Sequence, residues 1–407
     1  MYIGKDEVAE YLDKNKYKTK DFLCFIESLC ELIEEDDANN YVIDKLGLLL
    51  KERNSNKEER KQIIEILMKY NKNSKKPRAG NIFLNEAEIL EGKTILKSKP
   101  RILCFLLTYK CNLKCIMCCN GYDKEYELDD RLYKYIVDNI MYFQTVNWKG
   151  GEVFLYKYFK NLLKLAIKYN VKQEITTNAL LLNEEIIELL ASNGVELSIS
   201  IDAVTKDLYE KIRKGGNFEK LLTNLNLLLK AKKKYPKFDY HMATVLMKEN
   251  YKTINDIIDF AIKYGFSSLY CLACDEVDWN KHLILSKEDL FNVKKEISNR
   301  QFDNFMVSFD LKLGMLCENK DNKYENNKNI VSSDKKTDEL DDSDKSIYCN
   351  LPWKKMIVDD LSISFDCHCN SIDIDYNDIW NSKSMIEYRK NIIQNRENIC
   401  RIFLGNK

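Results

Sequence analysis

The chain has no surplus of charge: 64 Lys and Arg stand against 64 Asp and Glu, a formal net charge of zero. That excludes the broadly basic surface of a nucleic-acid binder or of a protein held on anionic membranes, although a local patch stays open. No run approaches the ~20 apolar residues of a membrane span. The first residues, MYIGKDEVAEYLDKN, are charged and amphipathic, unlike a signal peptide. These absences point to the cytoplasm, with neither nucleic acid nor membrane as partner. Histidine is scarce, with three in 407 residues.

Cysteine, by contrast, occurs fourteen times. A disulfide framework is a poor explanation, because cytosolic thiols stay reduced and a chain of this size needs no staples. Cys24, Cys30 and Cys104 sit among apolar residues and read as small buried hydrophobes. Most of the rest are clustered, and clustered cysteines in a reducing compartment indicate metal or catalysis.

The length suits about two or three domains. Residues 1–95 read as a helical accessory domain: Phe22, Phe25, Ile26, Leu29, Leu32 and Ile33 recur at helical spacing, as do Ile63, Ile64, Ile66, Leu67 and Tyr70. From Arg101 the pattern changes. Six short strand candidates (RILCFLLT, TVNWKG, QEITT, ELSISI, YHMATVL and SSLYCLA) alternate with amphipathic stretches at about 129–142, 156–169, 183–192, 218–235 and 253–264. Such alternation predicts parallel βα units, an α/β fold, in an open doubly wound sheet or a full or partial barrel. Residues 318–346 carry many charges and almost no apolar side chains, which predicts a disordered linker. A cysteine-containing module follows at 347–407.

Cys111, Cys115 and Cys118 come just after the first strand of the βα array, where parallel strands end and such folds place their chemistry. Three thiolates at spacings of four and three can wrap one face of an iron–sulfur cube and leave one iron without a protein ligand. Zinc competes for thiolates. A structural zinc would want a fourth ligand, however; Cys119 is too close to Cys118 to join the same tetrahedron, and no histidine lies in the stretch. Buried structural cysteines are the third reading.

The CxxxCxxC run resembles the signature of the radical S-adenosylmethionine (SAM) superfamily, and Gly150-Gly151-Glu152 resembles that family's glycine-rich SAM motif at the end of the second strand. The resemblance covers about 100–285 and implies a partial (β/α)6 barrel within a core at 96–317. It implies a [4Fe-4S] cluster on Cys111, Cys115 and Cys118 whose open iron takes the amine and carboxylate of SAM. It further implies that Gly150, Gly151 and Glu152 approach the methionine moiety and its amine. Asn178 in ITTNA would lie near SAM, Ser200 and Asp202 in SISID by the ribose, and Arg213 on the SAM carboxylate. Ordinary strand-end caps remain alternatives for Asn178 and Ser200, and a solvated helix charge for Arg213. The sequence departs from the family pattern at Met117, where an aromatic residue is common, and at Val153, where proline is common.

Cys349-Asn-Leu-Pro352-Trp353, then Asp366-Cys367-His368-Cys369, then Ile379-Trp380-Asn381 and Cys400 resemble a shortened SPASM-type extension. Four cysteines (Cys349, Cys367, Cys369 and Cys400) suffice for one auxiliary [4Fe-4S] cluster, with zinc as the competitor. Cys271 and Cys274 form a further CxxC, Cys317 is an additional candidate ligand, and Asp275, Glu276 and Asp278 are candidate substrate-facing acids.

The resemblance implies reductive cleavage of SAM to a 5′-deoxyadenosyl radical that abstracts hydrogen from a substrate, fed by an electron donor such as flavodoxin or ferredoxin. The favoured substrate is a peptide or protein, oxidised or crosslinked. The alternatives are a sugar or aminocyclitol-like small molecule, or a non-enzymatic zinc-binding scaffold.

Overall fold

The computed structural model describes residues 19–52, 57–118, 125–298, 300, 305–309, 330–332, 351–359, 362–364, 372–376 and 378–394. Cys317, Cys349, Cys367, Cys369 and Cys400 lie outside these residues, as does all of 318–346 except 330–332.

Four helices come first: α1 (Thr19–Glu35), α2 (Asn40–Glu52), α3 (Lys57–Asn73) and α4 (Pro77–Leu90). Phe22, Ile26, Leu29, Cys30 and Ile33 share one face of α1 and are buried in an apolar cluster separate from the main core. Cys24 is two residues off Phe22, about 200° around the helix, and is exposed. The expectation of a buried thiol therefore fails at Cys24 and holds at Cys30 and Cys104.

Helix α4 is buried along nearly its whole length, and its polar side chains are matched one by one. Asn85 Nδ2 donates to Ser98 Oγ (3.0 Å) and to the Trp353 carbonyl (2.7 Å). Glu86 Oε1 accepts from Arg101 and from Lys354, each at 2.6 Å. Glu88 accepts from Ser98 Oγ at 2.6 Å. This buried pairing ties the helical cluster to the lead-in of the first strand and to the C-terminal segment.

The remaining elements, in chain order, are β1 (Ile102–Leu106), β2 (Lys114–Cys115), α5 (Asp130–Asn139), β3 (Thr145–Lys149), α6 (Phe159–Lys168), β4 (Lys172–Thr177), α7 (Glu184–Ser192) and β5 (Glu196–Ser200). They continue with α8 (Lys206–Ile212), β6 (Arg213–Lys214), α9 (Phe218–Lys234), β7 (Tyr240–Leu246), α10 (Ile254–Lys263), β8 (Ser268–Ala273), α11 (Lys287–Ser298), β9 (Met306–Phe309) and β10 (Ile330–Ser332). The last are α12 (Leu351–Lys354), β11 (Lys355–Val358), β12 (Ser362–Ser364), β13 (Ile372–Asp373) and α13 (Lys383–Gln394).

All six strands expected from the sequence form, and they lie side by side and parallel in the order β1-β3-β4-β5-β7-β8. Each βα step adds its strand on the same side of the last one. That is the winding of a barrel, without the reversal that marks a doubly wound sheet. Among the described residues the sheet does not close. It runs on through β9 and β10 at one edge and through β11, β12 and β13 at the other. Strand β11 is parallel to β1, pairing Ile102 with Lys355 and Phe105 with Val358, so the segment after 351 extends the core sheet. Alternation sorts the two faces. Leu103, Phe105, Val146, Trp148, Ile175, Leu197, Ile199, Met242 and Leu269 are buried in the main core. Cys104, Asn147, Glu174, Ser198 and His241 fall on the opposite, polar face.

Candidate cofactor and substrate site

Beyond Leu106 the chain enters a loop held on both sides. On one side Gly151 N–H donates to the Thr108 carbonyl (2.6 Å) and Glu152 N–H to the Lys110 carbonyl (2.9 Å). On the other, Tyr109 N–H donates to the Tyr126 carbonyl (3.0 Å) and Leu128 N–H to the Leu107 carbonyl (2.8 Å). The glycines serve this contact directly. A Cβ at Gly150 would stand 2.7 Å from the Thr108 carbonyl oxygen, and one at Gly151 2.5 Å from that of Lys110. Glycine is needed because two backbones touch, a reason supplied by the chain itself.

The loop carries Cys111, Cys115 and Cys118 around one wall of a cavity of about 920 Å³ that opens at the C-terminal ends of the strands. Gly150, Gly151, Asn178, Ser200 and Arg213 line the same cavity, as do Met117 and Asp275. The donor chemistry fits an iron–sulfur cluster: three thiols, no imidazole, and room beside them. Among the described residues no three His, Cys, Asp or Glu side chains converge closely enough to hold a single metal ion.

Burial raises the Cys111 thiol, against the pull of the Leu113 N–H. Burial likewise pushes Cys115 up to about 12, with the Arg213 charge opposing. Both are protonated at neutral pH in the metal-free chain, so loading a cluster must release protons.

Glu152 and Asp202 are both wholly buried and stand behind the cavity wall. Glu152 accepts from Thr177 Oγ1 (2.9 and 3.0 Å) and from the Asn178 N–H (2.9 Å). Burial raises its pKa to about 6, these hydrogen bonds notwithstanding. Asn178 in turn donates through Nδ2 to Asn112 Oδ1 (2.9 Å), so the glutamate positions an asparagine that steadies the cysteine loop. The Asp202 carboxylate accepts from the Val245 N–H (2.8 Å) and pairs with Arg213 Nη2 (2.7 Å). Arg213 is buried, in contrast to the solvated helix charge weighed as its alternative.

Of the other candidates, Asp275 lines the cavity while Asp278 is on the surface, paired with Lys281 at 3.0 Å. Cys271 and Cys274 are buried. Leu272, between them, lines the cavity, so Cys271 points to the helix side of β8.

Two features of the site stand outside the expectations from sequence. The first is a two-stranded antiparallel ladder of β2 and β6 that sets Cys115 opposite Arg213. Two residues per strand leave no periodic signal to find. The second is a pair on the polar face of the sheet: His241 Nε2 lies 3.3 Å from Glu174 Oε1, and Asn147 Nδ2 donates to Glu174 Oε2 at 2.8 Å. Burial alone would raise Glu174, but His241 and then Lys149 hold it below the ordinary carboxylate value. Glu174 and His241 share a face with Thr176 and Val245 of the cavity wall, two and four residues further along their strands. Strand alternation could have found His241, a polar residue in the mostly apolar strand Tyr240–Leu246, whereas Glu174 lies in the polar run KQEITT and does not stand out.

Residues 105–261 match the family model described as the Radical SAM superfamily. Over 171 residues the chain is 30% identical to a mycofactocin maturase, MftC, from Mycobacterium ulcerans, covering 41% of this chain and 45% of that protein. Over 189 residues it is 29% identical to a cysteine-type anaerobic sulfatase-maturating enzyme from Clostridium novyi, covering 40% of this chain and 48% of that one. The chain thus matches about half the length of these curated relatives. The crystal structure of Streptococcus suis SuiB bound to precursor peptide SuiA superposes with a TM-score of 0.53 at 17% identity, over 76% of this chain and 70% of that one. At that identity the likeness is one of fold.

Proposed function

We propose, for a chain that carries a radical SAM domain, that it reductively cleaves SAM and uses the resulting radical to abstract hydrogen from a peptide or protein, leading to oxidation or crosslinking. The observation that carries this reading is the single cavity shared by Cys111, Cys115, Cys118 and the Gly150-Gly151 turn. A [4Fe-4S] cluster bound there supplies the electron that breaks the sulfonium bond.

The chain's own residues have separate tasks. Cys111, Cys115 and Cys118 would hold the cluster through their thiolates, leaving an iron without a protein ligand for SAM. Gly150 and Gly151 keep the cysteine loop against the end of β3, which would set the place of a cluster in the cavity. Glu152 holds Asn178, and Asn178 holds Asn112 within the loop. Ser200 lines the wall where the resemblance sets the ribose. Lys110, Lys114, Glu125, Glu127 and Asp275 are charged residues of the cavity lining that a substrate could meet, and the Glu174–His241 pair lies deeper on the cavity-facing side of the sheet.

A peptide substrate is favoured because the relatives bear the names maturase and maturating enzyme, and because SuiB is bound to a precursor peptide in its structure. An auxiliary cluster on Cys349, Cys367, Cys369 and Cys400 belongs to the same reading and rests on their order in the sequence. So do an electron donor of the flavodoxin or ferredoxin kind and a cytoplasmic, reducing location. No described helix is long and apolar enough to cross a membrane.

The test is direct. Anaerobically reconstituted protein given SAM and dithionite should form 5′-deoxyadenosine and methionine in equal amounts, and Cys115→Ala should abolish both. Equal yields from the wild type and the variant would refute the assignment.

A further inference from the structure

We propose that Arg213 is a positioning residue for the Cys115 thiolate, and that its buried charge governs how readily the cluster at Cys111, Cys115 and Cys118 accepts an electron. This rests on the cluster assignment under the proposed function. It gives Arg213 a task other than the contact with the SAM carboxylate that the resemblance assigns.

The main chain fixes the encounter. Cys115 and Arg213 are opposed residues of the β2–β6 ladder, and the Ile116 N–H donates to the Ile212 carbonyl at 3.0 Å one step along. No rotamer choice is needed to bring the two side chains to one place.

The side chain is then aimed. Arg213 Nη2 is 2.7 Å from Asp202 Oδ2, and the other oxygen of Asp202 is held by the Val245 N–H at the end of β7. With one terminal nitrogen pinned, the planar guanidinium directs Nη1 toward Cys115 Sγ, 3.9 Å away. Both terminal nitrogens are thus directed at groups of the chain itself.

Burial gives the charge its reach. Arg213 is 6% exposed and Asp202 is not exposed at all, so their fields are weakly screened at the sulfur. One-electron reduction adds a negative charge to the cluster. A fixed cation beside one ligand favours that reduced form, as hydrogen bonds and net charge around the sulfurs of such clusters generally do. Asp202 partly cancels the cation, so the pair acts as a dipole whose positive end faces the thiolate. The two members should therefore have opposite effects on reduction.

The experiment is a redox titration of the reconstituted full-length protein with dithionite as reductant, followed by the paramagnetic signal of the reduced cluster. Arg213→Gln should shift the midpoint to lower potential, cutting the ratio of reduced to oxidised cluster several-fold at a fixed solution potential. Asp202→Asn should raise that ratio several-fold, and Arg213→Lys should fall between wild type and Arg213→Gln.

An unchanged midpoint in Arg213→Gln with only the KM for SAM raised would reduce Arg213 to a carboxylate holder and overturn the proposal. Shifts of the same sign in Arg213→Gln and Asp202→Asn would mean general loosening of the loop and overturn it too. Failure of all three variants to take up iron would make the pair a folding element and would likewise overturn it. A wild-type protein with no SAM-responsive cluster would instead refute the proposed function.

Discussion

Glu152 shows how a residue at the cofactor site leaves a mark on stability. Its carboxyl titrates at about 6 in the fold against an ordinary 4.5. Below 4.5 it is protonated both folded and unfolded. Between 4.5 and 6 the folded chain keeps a proton that the unfolded chain has lost, so stability falls as pH rises; above 6 both states are ionised and the curve flattens. The loss across that window is about 2 kcal/mol. Denaturant titrations of the metal-free chain should show it, and Glu152→Gln should remove it. The same slope in the variant would place the cost elsewhere. Gly151 gives the steric counterpart. Its Cβ would meet two carbonyl oxygens, at 2.5 and 2.6 Å, and backbone cannot step aside as a flexible side chain can. Gly151→Ala should cost ~1–3 kcal/mol, read as a lower denaturation midpoint, and should reduce iron uptake.

Among the elements, legibility followed repetition. The six parallel strands and the helices between them announce themselves through period and alternation over five or more residues. The ladder of β2 with β6 is too short to do so, and it matters more to the site than most of the helices. Strand β11 escaped for another reason. Lys355-Met-Ile-Val358 carries a strand signal, but only its register against β1, far back in the chain, shows that it extends the core sheet.

The residues around the second cysteine set are recognisable in sequence as a motif, but their physical task is visible only in the fold. Arg389, on α13, donates to the carbonyls of Pro352 (3.0 Å), Thr94 (3.1 Å) and Trp380 (2.9 Å) and lies 4.5 Å over the Trp380 ring. Asn381 brackets Leu96, accepting from its N–H and donating to its carbonyl, both at 2.8 Å. Trp353 Nε1 donates to the Lys93 carbonyl at 2.6 Å. Trp353, Asn381 and Arg389 are thus docking residues that bind the C-terminal segment to 93–96. Arg389→Met would leave several buried acceptors unpaired and should cost about 1–3 kcal/mol, measured as a shift in urea midpoint. An unchanged midpoint would contradict this docking role.

For the molecule as a whole, a first unit of helices with its own apolar cluster is joined to the α/β sheet through α4 and the Glu86 contacts with Arg101 and Lys354. Removing the single carboxylate would leave two buried cations facing each other, so Glu86→Ala should destabilise the protein by about 3–5 kcal/mol. Thermal or urea unfolding would check this, and a shift well under 1 kcal/mol would contradict it. Metal content tests the proposed architecture at the same scale. Two clusters of four require about eight iron and eight sulfide per chain. Cys367→Ala should then hold about four of each and still cleave SAM. Stoichiometric zinc without sulfide would oppose both cluster assignments. The cavity wall could be drawn from sequence because its residues sit at strand ends in recognisable motifs. What lies behind the wall, Glu152 under Asn178 and Asp202 under Arg213, needed coordinates, since burial depends on which strands become neighbours.

Three thiolates holding an iron–sulfur cube, as proposed, would leave one iron open to SAM. Electron paramagnetic resonance of the anaerobic, dithionite-reduced protein, recorded with and without SAM, tests this most directly. The expected result is a reduced-cluster signal whose line shape changes when SAM is added. A signal indifferent to SAM, or none at all in iron-loaded protein, would contradict it.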